Sequence, residues 1–325
     1  MTPSFLDLID LAGERLGGAV VSANDEFFAP RENLVRASAP VWREGEYTER
    51  GKWMDGWETR RRREPGHDWC IVGLGAPGLV RGVDVETTYF KGNFPEACAI
   101  DLCEAQASSS PGELERASWR EALAKTALAG DAHNVFAIQD AHPATHLRLR
   151  IFPDGGVARL RVYGDIAADW SRLAARGEVD LAAAIHGGFV VACSDMFFGS
   201  RHNLIMPGDA RNMGDGWETK RRRGPGHDWT IVRLAAKGRI QRIELDTRHF
   251  KGNAPGACSL EVCVSSAPGT PEERATWHEL LPKTSLQPDA QHVFDLKGNA
   301  DATHARLNIF PDGGVARLRL FGKTT

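Results

Sequence analysis

The chain is written twice. WETRRRREPGHDW, from Trp57 to Trp69, returns as WETKRRRGPGHDW from Trp217 to Trp229, and the offset of 160 holds through Cys103 and Cys263. Of these 47 aligned positions 25 are identical, more than two β-rich segments share merely because both need apolar residues at alternate positions. A second block, IFPDGGVARLR, recurs unchanged at Ile151–Arg161 and Ile309–Arg319. The chain is therefore a tandem duplication, and its fold must be one that a single copy can complete. The retained residues are largely Arg, His, Asp, Trp, Gly and Pro, the types kept for turns, buried polar pairs or a site. A length of 325 residues accommodates two domains of ordinary size, expected over 1–170 and 171–325.

The formal net charge is −3 with 26% charged residues, which gives no reason to expect nucleic acid or an anionic membrane as a partner. No apolar run approaches the roughly 18 residues of a membrane span, and the first residues carry no basic segment before their apolar positions. These features predict a soluble, cytoplasmic protein. Cys98 and Cys103 recur as Cys258 and Cys263. Five residues apart on a strand, the two members of each pair point to opposite faces, so reduced, packed thiols are expected.

The repeated units read as β. In HLRLRIFPDGGVARLRVYG, Leu147, Leu149 and Ile151 share one face and Arg148 and Arg150 the other; Ala158, Leu160 and Val162 resume the period. Pro153, Asp154, Gly155 and Gly156 supply turn chemistry between the runs, which predicts a β-hairpin in each copy. A further strand carries Val83, Val85, Thr87 and Tyr89, ending at FKGN and Pro95. Asp165–Ile185 has apolar residues at helical spacing and then an alanine-rich stretch, the pattern of a helical connector. The first copy has about ten extra residues between Val35 and Trp57, a loop long enough to reach across a boundary between domains or subunits. Short strands and few helices indicate a β-sandwich or barrel per copy, with a jelly roll preferred over an immunoglobulin-like sandwich.

The densest chemistry lies in Arg60–Arg63, His67 and Asp68, mirrored by Lys220–Arg223, His227 and Asp228. In an extended segment Arg61 and Arg63 share a face opposite Arg60 and Arg62. Inward arginines need carboxylates, carbonyls or a bound anion, so the run is either an internal ion-pair lattice, with Glu58, Asp68 and Asp154 as partners, or an anion site. His67 beside Asp68 resembles an acid–base pair, although neighbours on a strand face opposite ways. Lys91 and Asn93, with Lys251 and Asn253, sit in KGN loops suited to an anion and a carbonyl oxygen, or simply to a tight turn. His146 and His304 read as structural. No HExxH, CxxC or GxSxG spacing exists, so neither a dedicated metal centre nor a cofactor is expected; the Asp55-Gly56 and Asp215-Gly216 turns are compatible with a structural cation but do not require one.

DGWETRRRR, PGHDW, FKGN and FPDGGVARLR, together with DEFFAPRENL at Asp25–Leu34 and its weaker copy at Asp195–Leu204, resemble the allantoicase family in several motifs and in their order. The resemblance covers nearly the whole chain. It implies an all-β protein of two tandem jelly-roll domains of the galactose-binding-like type, a homo-oligomer, and hydrolysis of allantoate to ureidoglycolate and urea in purine degradation. Such chemistry needs a clamp for the substrate carboxylate, an acid for the departing urea and a base for water. Arg61, Arg63, Arg221 and Arg223, with Lys91 or Lys251, are the expected clamp, because a guanidinium binds a carboxylate bidentately. His67 or His227 is the expected acid and base, oriented by Asp68 or Asp228, and Asn93 or Asn253 the expected partner of a ureido oxygen. The alternatives are an enzyme that releases urea from ureidoglycolate and a non-catalytic ligand-binding module on the same sandwich.

Overall fold

A 19-residue strand, Asp68–Glu86, organises the first half of the chain. Its beginning, residues 68–73, pairs antiparallel with Ala144–Phe152 on one side and Ala19–Ala23 on the other. Its end, residues 78–86, pairs with Arg159–Ile166 and His133–Ala137. Gly73, Gly75, Pro77 and Gly78 lie between the two, where the register shifts. These residues let the strand bend and pass from one layer of the sandwich to the other. From Ala144–Phe152 the first layer continues through Ala97–Cys103 to Arg120–Ala127. The second half repeats this plan around Asp228–Asp246.

The computed structural model describes residues 4–175, 177–296 and 300–325. It divides into two compact units, Met1–Ala167 and Ala168–Thr325, each with its own eight-stranded sheet system. The fold is all-β in two tandem jelly-roll units, as the resemblance implies. Ile71, Val83, Val85, Ile100, Leu102, Leu147, Leu149, Leu160 and Val162 fill the first core with no exposed surface, each worth roughly 1.5–3 kcal/mol relative to exposure. The alternation in 147–151 is realised as expected. Its outward arginines, Arg148 and Arg150, are both paired with Asp101, which lies 2.8 Å from each, and Arg150 also with Glu121 at 3.0 Å. All six cysteines are unpaired, and all but the half-buried Cys193 are buried. Burial pushes the thiols up, to about 12 for Cys98 and Cys258 and about 11 for Cys103 and Cys263.

Three local expectations change. Ala144–Phe152 and Arg159–Ile166 do not pair with one another; each pairs with a different part of the long strand, so they form no hairpin. The intervening Gly156-Val157 pairs instead with Trp57-Glu58. The connector expected over 165–185, of which residue 176 lies outside the described residues, is α-helical at Trp170–Ala174 alone among the described residues, with a 3-10 turn starting at Ala184. Its alanine-rich end, Leu181–Ala184, is buried core of the second unit, where tertiary packing outweighs helix propensity. The arginine run is not a strand either: pairing stops at Glu58 and resumes at Asp68.

Candidate active site

The blocks that recur in sequence meet in space. Glu58 faces Gly156 across the short Trp57-Glu58 ladder, Thr59 donates its backbone N–H to Gly155 O, and Gly156 donates to Asn93 O at 2.7 Å. Thus the WET strand, the PDGG turn and the KGN loop are stitched together. Gly155 has φ 138, and a Cβ there would lie 2.7 Å from the Asn93 carbonyl. A Cβ on Gly156 would lie 2.0 Å from the Phe90 ring. Both glycines are therefore required by close approach. The second unit repeats the stitch through Thr219, Gly313, Gly314 and Asn253.

Beside this junction a cleft of 860 Å³ opens in the first unit, walled by Phe28, Trp42, Tyr89 and Met54 with Lys52, Glu58, Lys91 and Asn93 as its polar groups. Its volume suits a small molecule. Glu58 Oε1 accepts from Asn93 Nδ2 at 2.8 Å, and burial raises the Glu58 carboxyl above the usual range despite that bond. Tyr89 has φ 68, a left-handed backbone costing about 1–2 kcal/mol for such a residue, held by its N–H to Asp131 Oδ1 at 2.8 Å. The extra loop supplies the outer wall. Tyr47-Thr48 pairs with Gly51-Lys52, Lys52 Nζ lies 4.0 Å above the Trp42 ring, and Trp42 meets Tyr89 at 5.7 Å between centroids. The loop thus folds over its own copy. Its base is fixed by fully buried Arg159, whose guanidinium donates to Ser38 O, Asp55 O, Ala158 O and Asp55 Oδ2. The aspartate of the Asp55-Gly56 turn is thereby committed to an ion pair.

The arginines divide by role. Arg60 pairs with Asp25 at 2.6 Å, and Arg62 pairs with buried Asp68 at 2.7 Å while its backbone N–H bonds Asp154. Arg61 and Arg63 are exposed, and among the described residues neither has a hydrogen-bonding partner; the same holds for Arg221 and Arg223. Arg60–Arg63 border a crevice with Asn24, Asp25 and Asp68. The two sides of the run therefore realise both readings, lattice for Arg60 and Arg62 and open cations for Arg61 and Arg63. His67 makes no hydrogen bond to Asp68, which is occupied by Arg62 and Asn24. The imidazole packs on Phe152 at 5.1 Å, and burial, then Arg150, Arg148 and Arg62, lower its pKa. His227 lies 3.3 Å from Asn308 Oδ1 and packs on Phe310, while Asp228 takes Arg222. Neither histidine lines the clefts that contain Glu58 or Glu218.

In the second unit the corresponding cavity is smaller, 400 Å³, and gathers Phe198, Glu218, Arg221, Arg222, Asn253 and Asp312. Glu218 accepts from Asn253 as Glu58 does from Asn93. Lys251 is exposed, 3.8 Å from Asp289, as Lys91 is 3.7 Å from Asp131. His249 replaces Tyr89 with φ 73, but its Nε2 is tied to Ala210 O at 2.9 Å. Of the KGN residues expected from sequence, Lys91 and Asn93 line the first cleft and Asn253 the second, whereas Lys251 is not in that lining; Trp42, Tyr89 and the orientation of Glu58 were missed. The available signal for Glu58 was its position inside the longest repeated block.

The model of the "Allantoicase repeat" family matches residues 9–167 and again 179–325. The chain belongs to the allantoicase family. A protein named "Probable allantoicase" from Pseudomonas aeruginosa is 50% identical over 324 residues, covering 98% of this chain and 97% of its own length. Its namesake from Photobacterium profundum is 45% identical over 328 residues, with 98% and 97% covered. The crystal structure of allantoicase from Saccharomyces cerevisiae superposes with a TM-score of 0.84 at 34% identity, covering 97% of this chain and 92% of that one. Each allantoicase repeat here carries the same Glu–Asn pair and the same open arginines, and the first alone adds the aromatic loop.

Proposed function

We propose that the chain hydrolyses allantoate to ureidoglycolate and urea, a step of purine degradation, and that the reaction takes place where the WET strand, KGN loop and arginine run converge. Full-length kinship with allantoicases carries the activity. The location rests on one observation: the Glu–Asn pair of the WET strand and KGN loop lines a cleft of small-molecule size in both units, joined in the second by Arg221 and Arg222, while Arg60–Arg63 border a crevice of their own in the first.

Allantoate bears a carboxylate and two ureido groups on one carbon. Arg61, Arg63 and Lys91 in the first unit, and Arg221, Arg223 and Lys251 in the second, are the cations we assign to the carboxylate; a bidentate guanidinium fixes its orientation. Asn93 and Asn253 have amide donors suited to a ureido oxygen. Expulsion of urea then requires a proton on the departing nitrogen, while the lone pair of the remaining ureido nitrogen forms a C=N bond that water attacks. His67 and His227 are candidate proton carriers through their place in the arginine-bearing block, although neither lines the clefts, and burial with the neighbouring arginines lowers the His67 pKa, which favours its neutral form. Asp68 and Asp228 support this site through Arg62 and Arg222, to which they are bonded.

The setting we propose is a cytoplasmic homo-oligomer. Unpaired cysteines favour a reducing compartment, and the exposed Met196, Phe197, Phe198 and Met213 form an apolar surface of the kind that subunits cover. The test of function is time-resolved product analysis of chelator-treated protein with allantoate. Urea rising in step with ureidoglycolate, without ammonia, is the expected result. Ammonia instead would indicate attack on a ureido carbonyl, and no turnover after metal is restored would favour a binding module.

A further inference from the structure

We infer that Glu58 is the catalytic group that gives a proton to the departing urea and takes one back from the water that replaces it. This rests on the allantoate reading. Glu58 is the sole carboxylate lining the first cleft, and one of its oxygens is fixed by Asn93 while the other has no protein partner among the described residues. Its backbone is pinned on both sides, by Gly156 and by Ala29. The carboxyl group is thus positioned without being neutralised by an ion pair. That separates it from Asp25, Asp55, Asp68 and Asp101, each of which is committed to an arginine.

The surroundings favour the protonated acid. Burial among Phe28, Met54 and Tyr89 raises the Glu58 carboxyl, because desolvation penalises the charged form. The other titratable groups in the cleft are Lys52, Lys91 and Tyr89. Lys52 is turned onto the Trp42 ring and Lys91 toward Asp131, so neither ammonium is bonded to Glu58. An anionic substrate seated beside Glu58 raises its pKa further.

The step balances on this one residue. Neutral Glu58 protonates the nitrogen being expelled; the C–N bond breaks with its electron pair on that nitrogen, and urea leaves. The retained ureido nitrogen, keeping its hydrogen, shares its lone pair with the carbon. Water adds to that carbon and the Glu58 carboxylate removes its extra proton, which restores the neutral acid. Allantoate plus water becomes ureidoglycolate plus urea, with no other reactant. Trp42 and Tyr89 form apolar walls of the cleft, and Asn93 keeps the carboxyl group in place through both transfers.

The test uses the full chain with Glu218→Gln as the background, so that the matching carboxyl of the second unit is silenced, and adds to it Glu58→Gln, which keeps the Asn93 bond because its carbonyl oxygen still accepts, or Glu58→Ala. Wild-type kcat/KM is expected to fall as pH rises through the Glu58 pKa, since the free enzyme needs the protonated acid. E58Q is expected to retain allantoate binding, lose roughly 10²- to 10⁴-fold in turnover and lose that alkaline limb. Added formate or acetate is expected to restore part of the turnover of E58A, which a structural role would not permit. The inference is overturned if E58Q turns over within threefold of wild type, if wild type has no alkaline limb, or if formate leaves folded E58A inert. A limb that persists in E58Q and disappears in His67→Gln assigns the proton to His67. Wild type that releases no urea counts against the functional reading itself; active wild type with active E58Q counts against Glu58 alone.

Discussion

Replacing Arg159 by methionine removes a guanidinium with no exposed surface and four bonds of 2.7–3.1 Å, three to the carbonyls of Ser38, Asp55 and Ala158 and one to the Asp55 carboxylate. Methionine fills much of the volume, so the main penalty is the buried Asp55 charge left behind. Breaking such a pair costs about 3–5 kcal/mol. Arg36, 3.6 Å from Asp55 but half exposed, recovers at most about 1 kcal/mol. The net loss of about 2–4 kcal/mol corresponds to roughly 5–15 °C for a unit of this size. Scanning calorimetry is the assay: the transition of the first unit moves down while that of the second, which has its own Arg317, stays. Because Ser38 and Asp55 flank the loop that bears Trp42 and Lys52, KM rises before the unit unfolds. The double variant Arg159→Met with Asp55→Asn removes both charges and recovers at least about 1.5 kcal/mol in the cycle. A first transition within 2 °C of wild type would refute the view that this pair holds the loop.

Gly156→Ala forces a methyl group onto Phe90, and overpacking of this kind costs about 1–3 kcal/mol; the same substitution at Gly314 meets Phe250 at 2.0 Å, so both variants melt earlier in thermal scans. Arg61→Ala is expected to raise KM for allantoate about 10- to 100-fold, the value of a hydrogen-bonded charge on the substrate. Comparison with Arg221→Ala in steady-state kinetics apportions turnover between the units, and wild-type kinetics in both variants would remove the clamp assignment. His304, 1% exposed, has its pKa lowered by burial. An unfolded histidine protonates near pH 6.5, so below that value the unfolded chain takes up the proton first and stability falls as pH drops towards the lower folded pKa. Melting temperature against pH should therefore be flatter between pH 7 and 5 in His304→Gln than in wild type; an equal slope would discard this account.

What could be read from the sequence is what local chemistry decides. Leu147, Leu149 and Ile151 are buried and Arg148 and Arg150 are not, because a strand with one face in a core has no other arrangement. The PDGG turn was equally legible as a turn, but its partner was not: Gly156 pairs with Glu58, nearly a hundred positions away, and no local rule selects that strand over its neighbour. In the arginine run the alternation was legible and the partners were not: Arg60 and Arg62 pair with Asp25 and Asp68 in a segment that lies outside the ladder. The four KGN residues and the open arginines were found through repetition. Trp42 and Tyr89 were not, since the loop that carries Trp42 has no second copy and His249 replaces Tyr89.

The buried thiols turn the duplication into a pair of internal reporters. With pKa values near 11–12, only on the order of one thiol in 10⁴ to 10⁵ is ionised at neutral pH, and burial denies alkylating reagents access even to those. Cys98 and Cys103 sit in one unit, Cys258 and Cys263 in the other. Their alkylation rates, resolved peptide by peptide in a mass spectrometer, therefore measure how often each half opens while the molecule remains otherwise native, with no label, tag or engineered residue.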